Sequence, residues 1–323
     1  MKAITYSAYG GAENLQLADV PVPEPGPGQV RVRVAAASLN AYDWHQYRGE
    51  PWLVRASMGW SVKEPRVLGS DLAGVIDAVG PDVTDFGVGD RVLGSIGLGA
   101  AAEYAVSRST SFARLPDGVA WDLAAATPMA GFTALQALRD SAKLVEGERV
   151  LVWGASGGVG HLAVQLARIL GAASVDAVCS GPNAELVRAM GANEAFDYTQ
   201  DERPTGPYDV VIDTVCTAPL RRLKPVLSEA GRVATLGGIA NGRLLGPGRP
   251  MMGRVIRSRF VGVHHAMVSA HTDAQDLEWL AARLADGSLT PVVARTFALA
   301  DAAKACELLE GGHVAGKLVV SVA

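Results

Sequence analysis

The chain has 323 residues, 49% hydrophobic and 19% charged, which is enough apolar material for one large or two ordinary domains and too much for a disordered chain. A formal net charge of -4 supplies no overall positive field to gather phosphate backbones, so a dedicated nucleic-acid binder is not expected. The first ten residues lack a basic stretch followed by an apolar core, and the most hydrophobic region, 150–167, is broken by Ser156, His161, Gln165 and several glycines; neither a signal peptide nor a membrane span is expected.

Beyond the Pro/Gly segment 21–28 there is no low-complexity tract, and no repeat is visible. Through residue 118, short β-branched runs such as 30–34 and 75–79 are punctuated by Gly, Pro and Asp turns at 87–90 and 116–118, which predicts antiparallel β structure. From residue 119 helical segments alternate with apolar runs at 149–153, 174–179, 209–213, 231–236 and 259–263. Strands separated by helices of that length predict an α/β fold with a doubly wound parallel sheet. Helices are expected again over 270–285 and 300–309, before a final apolar strand over 317–322. Cys179, Cys216 and Cys306 are widely spaced and odd in number, so no disulfide framework is expected and a cytoplasmic setting is the default.

The sharpest local signal is the apolar run 150–153 entering Gly154-Ala155-Ser156-Gly157-Gly158-Val159-Gly160 and then an amphipathic helix. Such a turn lets backbone approach a pyrophosphate closely, while the unpaired amides and positive dipole end of the helix hold its charge. The G-x-G-x-x-G spacing falls on Ala155, Gly157 and Gly160, with alanine in place of the first glycine. At the end of the next strand an NAD site offers a carboxylate to the ribose; here Ser180 stands, which favours NADPH over NADH, although no Arg or Lys follows in Gly181-Pro182-Asn183. Asp176, earlier in that strand, reads as structural.

These motifs, with 38–49, Leu68-Gly69-Ser70-Asp71-Leu72-Ala73-Gly74, Gly87-Val88-Gly89-Asp90-Arg91-Val92, Gly131-Phe132-Thr133-Ala134 and Gly316-Lys317, resemble the medium-chain dehydrogenase/reductase superfamily in its zinc-independent quinone oxidoreductase-like branch, across essentially the whole chain. The resemblance implies a Rossmann dinucleotide-binding domain over 119–265 and a GroES-like β-rich catalytic domain over 1–118, completed by 266–323. Zinc alcohol dehydrogenases of this fold carry Cys where Asn40 stands and Gly-His-Glu where Gly69-Ser70-Asp71 stands. Neither Asn nor Ser is a competent zinc ligand, so no metal is expected.

What the resemblance implies is hydride transfer from a nicotinamide to a quinone or an α,β-unsaturated carbonyl, in a cleft between the domains with Asn40, Asp43 and His45 on one wall. Asn40 is expected to offer its amide to the substrate carbonyl. His45 matches a position where many quinone reductases of this branch place Tyr, and is either the proton donor or a satisfied histidine on a helix starting near Asp43. Asp43 stands with them as a candidate catalytic residue, or is instead the N-cap of that helix or a buried partner of Arg48. Carried over by position, Thr133, Leu236, Gly237, Gly238 and the strand-end residues Val261 and Val263 meet the nicotinamide end. Tyr198 matches a contact to the adenosine phosphate, Lys317 a contact in the coenzyme cleft, and Asn183 replaces a frequent Lys or Arg. Of His264 and His265, at most one faces the cleft. The segment 51–65, with Trp52, Met58 and Trp60, reads as a substrate cap, core packing or a dimer contact. The expected partners are a small quinone or enone and, as among relatives, a second copy in a homodimer. A biosynthetic enoyl reductase acting on a polyketide intermediate is the alternative enzyme; an NADPH-binding structural or sensing protein is the alternative class.

Overall fold

The structure, a computed structural model, describes residues 1–216, 220–237 and 248–322. The chain opens with β1 (Lys2–Tyr6) and β2 (Gln16–Asp19), followed by the long β3 (Gln29–Leu39). Val30, Val32 and Val34 of β3 point into the core while Arg33 stays outside, the alternation that a half-buried strand imposes. Next come α1 (Ala41–Arg48), α2 (Trp52–Met58), β4 (Arg66–Val67), β5 (Asp71–Val79), β6 (Arg91–Ser95), β7 (Tyr104–Arg108), β8 (Phe112–Arg114), α3 (Trp121–Ala126) and α4 (Pro128–Gln136). Strands and helices then alternate: β9 (Arg149–Trp153), α5 (Gly160–Ile169), β10 (Ser174–Cys179), α6 (Ala184–Ala189), β11 (Ala195–Asp197), β12 (Tyr208–Asp213), α7 (Leu220–Leu223), β13 (Leu227–Thr235), α8 (Gly248–Val261) and β14 (His264–Met267). The chain closes with α9 (Ala274–Ala285), β15 (Val293–Ala298), α10 (Ala302–Glu310) and β16 (Lys317–Ser321).

Two units result, one of Met1–Phe132 with Thr272–Ala323 and one of Thr133–His271. The division therefore falls at 132/133 and 271/272, not at the expected 118/119 and 265/266. The reason is α3, which buries Ala124, Ala125 and Ala126 and packs on β3 and β5; the Pro-Asp-Gly turn at 116–118 ends a strand region, not a unit.

The first unit contains a small sheet ordered β2-β1-β4 and a larger one ordered β15-β16-β3-β5-β6-β8, with β7 also on β3. Its pairings are antiparallel, as expected, apart from the parallel pair of β15 with β16. The last strand of the chain is thus an interior strand of this sheet. Tyr6, Leu39, Tyr47, Leu72, Ile76 and Phe112 fill the core, each side chain contributing roughly 1.5–3 kcal/mol by leaving water.

In the second unit six strands run parallel in the order β11-β10-β9-β12-β13-β14. From β9 the chain winds outward through β10 to β11; from β12 it winds the other way through β13 to β14. The winding reverses between β9 and β12, the crevice where an open α/β sheet takes its ligand outside the carboxyl ends of the strands. One expected strand is corrected. Residues 259–261 form the last turn of α8, Gly262 with φ +64° ends it, and the strand starts at His264. A short apolar run at a helix end carries the same pattern as a buried strand, and β-branching alone does not separate the two. Among the described residues no helix is long and apolar enough to cross a membrane.

Candidate functional site

The glycine turn leaves the carboxyl end of β9 at the reversal point. Gly154 takes φ +78°, and a Cβ there would lie 2.6 Å from Thr214 Oγ1. The sharp turn therefore falls on Gly154, one residue before the expected first glycine, and Ala155 needs no such freedom; it is fully buried. Gly160 starts α5, and a Cβ on it would meet Gly154 O at 2.1 Å and Ala155 Cα at 2.8 Å, so only glycine lets this helix close on the turn. Ser156, Gly157, Gly158 and Val159 form the partly exposed lip between them, and at Gly157 a Cβ would approach nothing nearer than Gly154 O at 3.4 Å. His161 N and Ala163 N bond back to Gly157 O and Val159 O, and the amides ahead of them, at the positive end of α5, are of the kind that can receive an anion.

At the end of β10, Asn183 Nδ2 donates to Ser156 Oγ and to Ser180 Oγ, both at 3.1 Å, tying three sequence-predicted residues into one neutral rim. Asp197 lies behind this rim: a Cβ on Gly181 would come within 2.4 Å of Asp197 Oδ2. Hydrogen bonds from Thr199, chiefly its side chain, hold Asp197 below the usual carboxylate range. Tyr198 beside it is exposed. Asp176 accepts from Tyr208 OH at 2.8 Å and from Glu194 N at 3.1 Å, which accounts for it structurally.

The other half of the sheet edge carries the remaining expected residues. Leu236 is buried just past β13, with its amide on Asp213 O at 2.9 Å, and Gly237 follows it into open space; Gly238 lies outside the described residues. Thr133 is half-buried on α4. Val261 and Val263 precede β14 and so stand at the amino edge of the sheet, opposite the glycine turn; as strand-end contacts they are corrected, and the residues at the carboxyl edge of that strand are Met267 and Val268. His264 is exposed, and His265 faces Thr235, its Nε2 2.9 Å from Thr235 Oγ1. Burial and the charge of Arg254 push His265 down to about 4. Arg254 itself is buried and pairs with the fully buried Asp213 at 2.8 Å.

In the first unit, strand register assembles a second polar group. Asp71, first residue of β5, lies opposite Ser38 of β3 and Ser95 of β6; Leu318 of β16 lies opposite Leu39, which brings Lys317 beside Asn40 at the same end of the sheet. Lys317 Nζ donates to Leu39 O at 2.9 Å and to Asn40 Oδ1. Asn40 Nδ2 donates to Asp71 Oδ2 at 2.9 Å and to Ser70 Oγ at 3.1 Å, and Asp71 Oδ2 also accepts from Met129 N at 3.1 Å. An ammonium only donates and a carboxylate only accepts, so these neighbours fix which way the Asn40 amide points. Both amide hydrogens are committed, and the expected donation from Asn40 to a substrate carbonyl is corrected accordingly.

Asp43 Oδ2 accepts from Asn40 N at 2.7 Å, closing the first turn of α1. Arg48 instead pairs with Glu310, so Asp43 is not its partner, and the expected N-cap is corrected: Asn40 is the N-cap and Asp43 closes the capping box from the third helical position. Burial first, then the charge of Asp71, push Asp43 up to about 7; burial likewise raises Asp71 and lowers Lys317, the latter against the pull of both carboxylates. His45 is half-buried against Trp44, with Nδ1 2.6 Å from Glu50 O; a carbonyl only accepts, so Nδ1 bears the hydrogen. Burial lowers its pKa. Trp52, Leu53 and Trp60 in the 51–65 segment are exposed, which removes core packing as their role.

Residues 26–117 match the alcohol dehydrogenase GroES-like domain family, and residues 190–320 match the zinc-binding dehydrogenase family. The chain is 34% identical to the chloroplast envelope quinone oxidoreductase homolog of Arabidopsis thaliana, covering 99% of this chain and 98% of that protein. The chain belongs to the medium-chain dehydrogenase/reductase superfamily, in its quinone oxidoreductase-like branch. It is also 33% identical to the NADPH-dependent alkenal/one oxidoreductase, chloroplastic, of the same plant, over 99% of this chain and 79% of that one. The quinone oxidoreductase from Coxiella burnetii superimposes with a TM-score of 0.87 at 31% identity, covering 100% and 99% of the two chains.

As a member of this superfamily the chain is an oxidoreductase with a nicotinamide coenzyme. Two groups escaped the sequence reading of this reductase. Asp71 was visible only as part of a motif, and the Arg254–Asp213 pair has no local pattern. Lys317 did carry a signal: a lysine opening an apolar strand is buried only when paired.

Proposed function

We propose that the chain reduces a quinone or an α,β-unsaturated carbonyl with NADPH and without a bound metal. The observation that carries this reading is the glycine turn at the winding reversal of the parallel sheet, in a chain similar over 99% of its length to quinone and alkenal/one oxidoreductases. Bound there, a reduced nicotinamide supplies the hydride. Amides of Gly158, Val159 and Gly160 would hold its diphosphate, Ser156, Ser180 and Asn183 would meet its adenosine ribose, and Leu236 and Gly237 would border its nicotinamide. With Nδ1–H committed to Glu50 O, His45 gives up a proton from Nε2 only as the imidazolium, the form that burial makes the more acidic, and this proton completes the reduction.

The donor set around Asn40 does not fit zinc. Its amide oxygen accepts from Lys317, Ser70 is a neutral hydroxyl, Asp43 is held on the Asn40 amide, and an ammonium stands where a cation would have to sit. A neutral rim at Ser180 supports NADPH; the carboxylate of Asp197 behind Gly181 favours a second reading, in which NADH serves as well. Free Cys179, Cys216 and Cys306 support a reducing, cytoplasmic setting, and β14, an edge strand of its sheet, supports a homodimer formed edge to edge.

Loss of reduced-coenzyme absorbance is expected when the protein is mixed with NADPH and small quinones or enones. Tight coenzyme binding with no oxidation across a broad acceptor panel would favour a structural or sensing protein instead. Titration is expected to show NADPH binding more tightly than NADH, and equal or tighter NADH binding overturns that preference. His45→Phe is expected to lower kcat by about a hundredfold with coenzyme affinity retained; an unchanged rate removes His45 from the mechanism.

A further inference from the structure

The resemblance assigns Lys317 to the coenzyme, but its surroundings give it other work. The ammonium is buried, 3% exposed, and its bonds go to Leu39 O and Asn40 Oδ1, both within its own unit. Opposite it, Asp71 is fully buried and takes the Asn40 amide from the other side. Asn40 therefore lies between a donor-only and an acceptor-only group, each of which rejects the flipped amide: turning it would set Nδ2 against the ammonium and Oδ1 against the carboxylate. Ser70 Oγ takes the second amide hydrogen and Asp43 Oδ2 takes the Asn40 backbone N–H, so every polar group of Asn40 named here is held.

We propose that Lys317 and Asp71 are a positioning pair that locks Asn40 and, through it, the first turn of α1, which carries His45. The inference rests on the reductase reading given above. Asn40 is the residue from which α1 starts, Asp43 closes that first turn onto it, and His45 follows within the next turn. A group that delivers a proton must be placed within a few tenths of an ångström, and misplacement by about 1 Å is enough to lose a hundredfold in rate. The two charged groups, bridged by the Asn40 amide, lie in neither reacting position; they act by fixing a side chain that fixes a helix. Placing that lock on three strands, β3, β5 and β16, makes it as rigid as the sheet itself.

The test uses the full-length protein with Lys317→Met, and with Lys317→Met combined with Asp71→Asn, which removes the Asp71 carboxylate together with the ammonium and so limits the cost to folding. The first readout is hydrogen exchange at the Asn40 side-chain amide, followed by nitrogen NMR. Slow exchange in the unsubstituted protein and exchange at least about tenfold faster in the double variant are expected. The second readout separates rate from binding: kcat is expected to fall by about tenfold or more while coenzyme Kd stays within about threefold. A third arm places Lys317→Met in an Asn40→Ala background, where its effect on kcat should largely vanish because the residue it acts through is gone. Unchanged amide exchange, a coenzyme Kd raised about tenfold with kcat retained, or undiminished effects in the Asn40→Ala background would each overturn the proposal. If the unsubstituted protein oxidises no coenzyme with any acceptor, the reductase reading fails, and amide exchange alone then decides whether the lock exists.

Discussion

Asp43 shows how burial sets the behaviour of a single group. Its carboxyl is pushed up to about 7 from an ordinary value of 3.8. Between those values the unfolded chain has released the proton and the folded chain retains it, so the folded state binds more protons and its stability falls as pH rises through that window, then levels off above it. Asp43→Asn keeps an oxygen for the Asn40 amide and abolishes this titration. Denaturant unfolding is expected to show the variant gaining on the unsubstituted protein from pH 4 to pH 7, by up to about 1.4 kcal/mol per unit, with parallel curves above pH 7; curves parallel throughout would mean that Asp43 ionises normally. The candidate residues Asn40, Asp43 and His45 were readable from motif position, because the residue types that suit a site recur at one spacing. Which of them bonds to which was not, since Lys317 and Asp71 reach Asn40 only through strand register.

Between β9 and α5 the local chain is nearly self-explanatory: apolar β-branched strand, glycine turn, amphipathic helix. The glycines nonetheless differ in what they do. At Gly160 an added methyl meets backbone atoms that cannot swing away, whereas at Gly157 it meets ordinary contact distance. Gly160→Ala is expected to destabilise the protein by about 1–3 kcal/mol and to weaken coenzyme binding at least tenfold, read by thermal unfolding and fluorescence titration. Gly157→Ala should leave the melting temperature close to its original value, and equal losses in the two variants would show that the turn is not packed as described. Residues 259–263 mark where an element eluded the pattern. Helix and strand give the same short apolar run, and only the pairing of β13 with His264–Met267 decides between them.

At the scale of the whole molecule, chain order and spatial order part company. Residues 317–321 lie between β3 and β15 in the sheet of the first unit, although more than a hundred residues of the second unit come between in sequence. Deleting Lys317–Ser321 removes an interior strand together with the ammonium that faces Asp71. The first unit is expected to lose its cooperative unfolding transition, measured by circular dichroism; a retained native transition would place β16 outside the folding core. The sequence by itself determined that an antiparallel β-rich region adjoins a parallel α/β sheet, and that a glycine turn leads into a helix, because period, turn residues and backbone freedom are properties of neighbours along the chain. Only the tertiary structure decided that α3 belongs with the first unit, that Arg48 meets Glu310 and not Asp43, and that Lys317 serves Asn40. Each depends on residues far apart in sequence being brought within hydrogen-bond distance or into one core, and nothing local to either partner encodes the other.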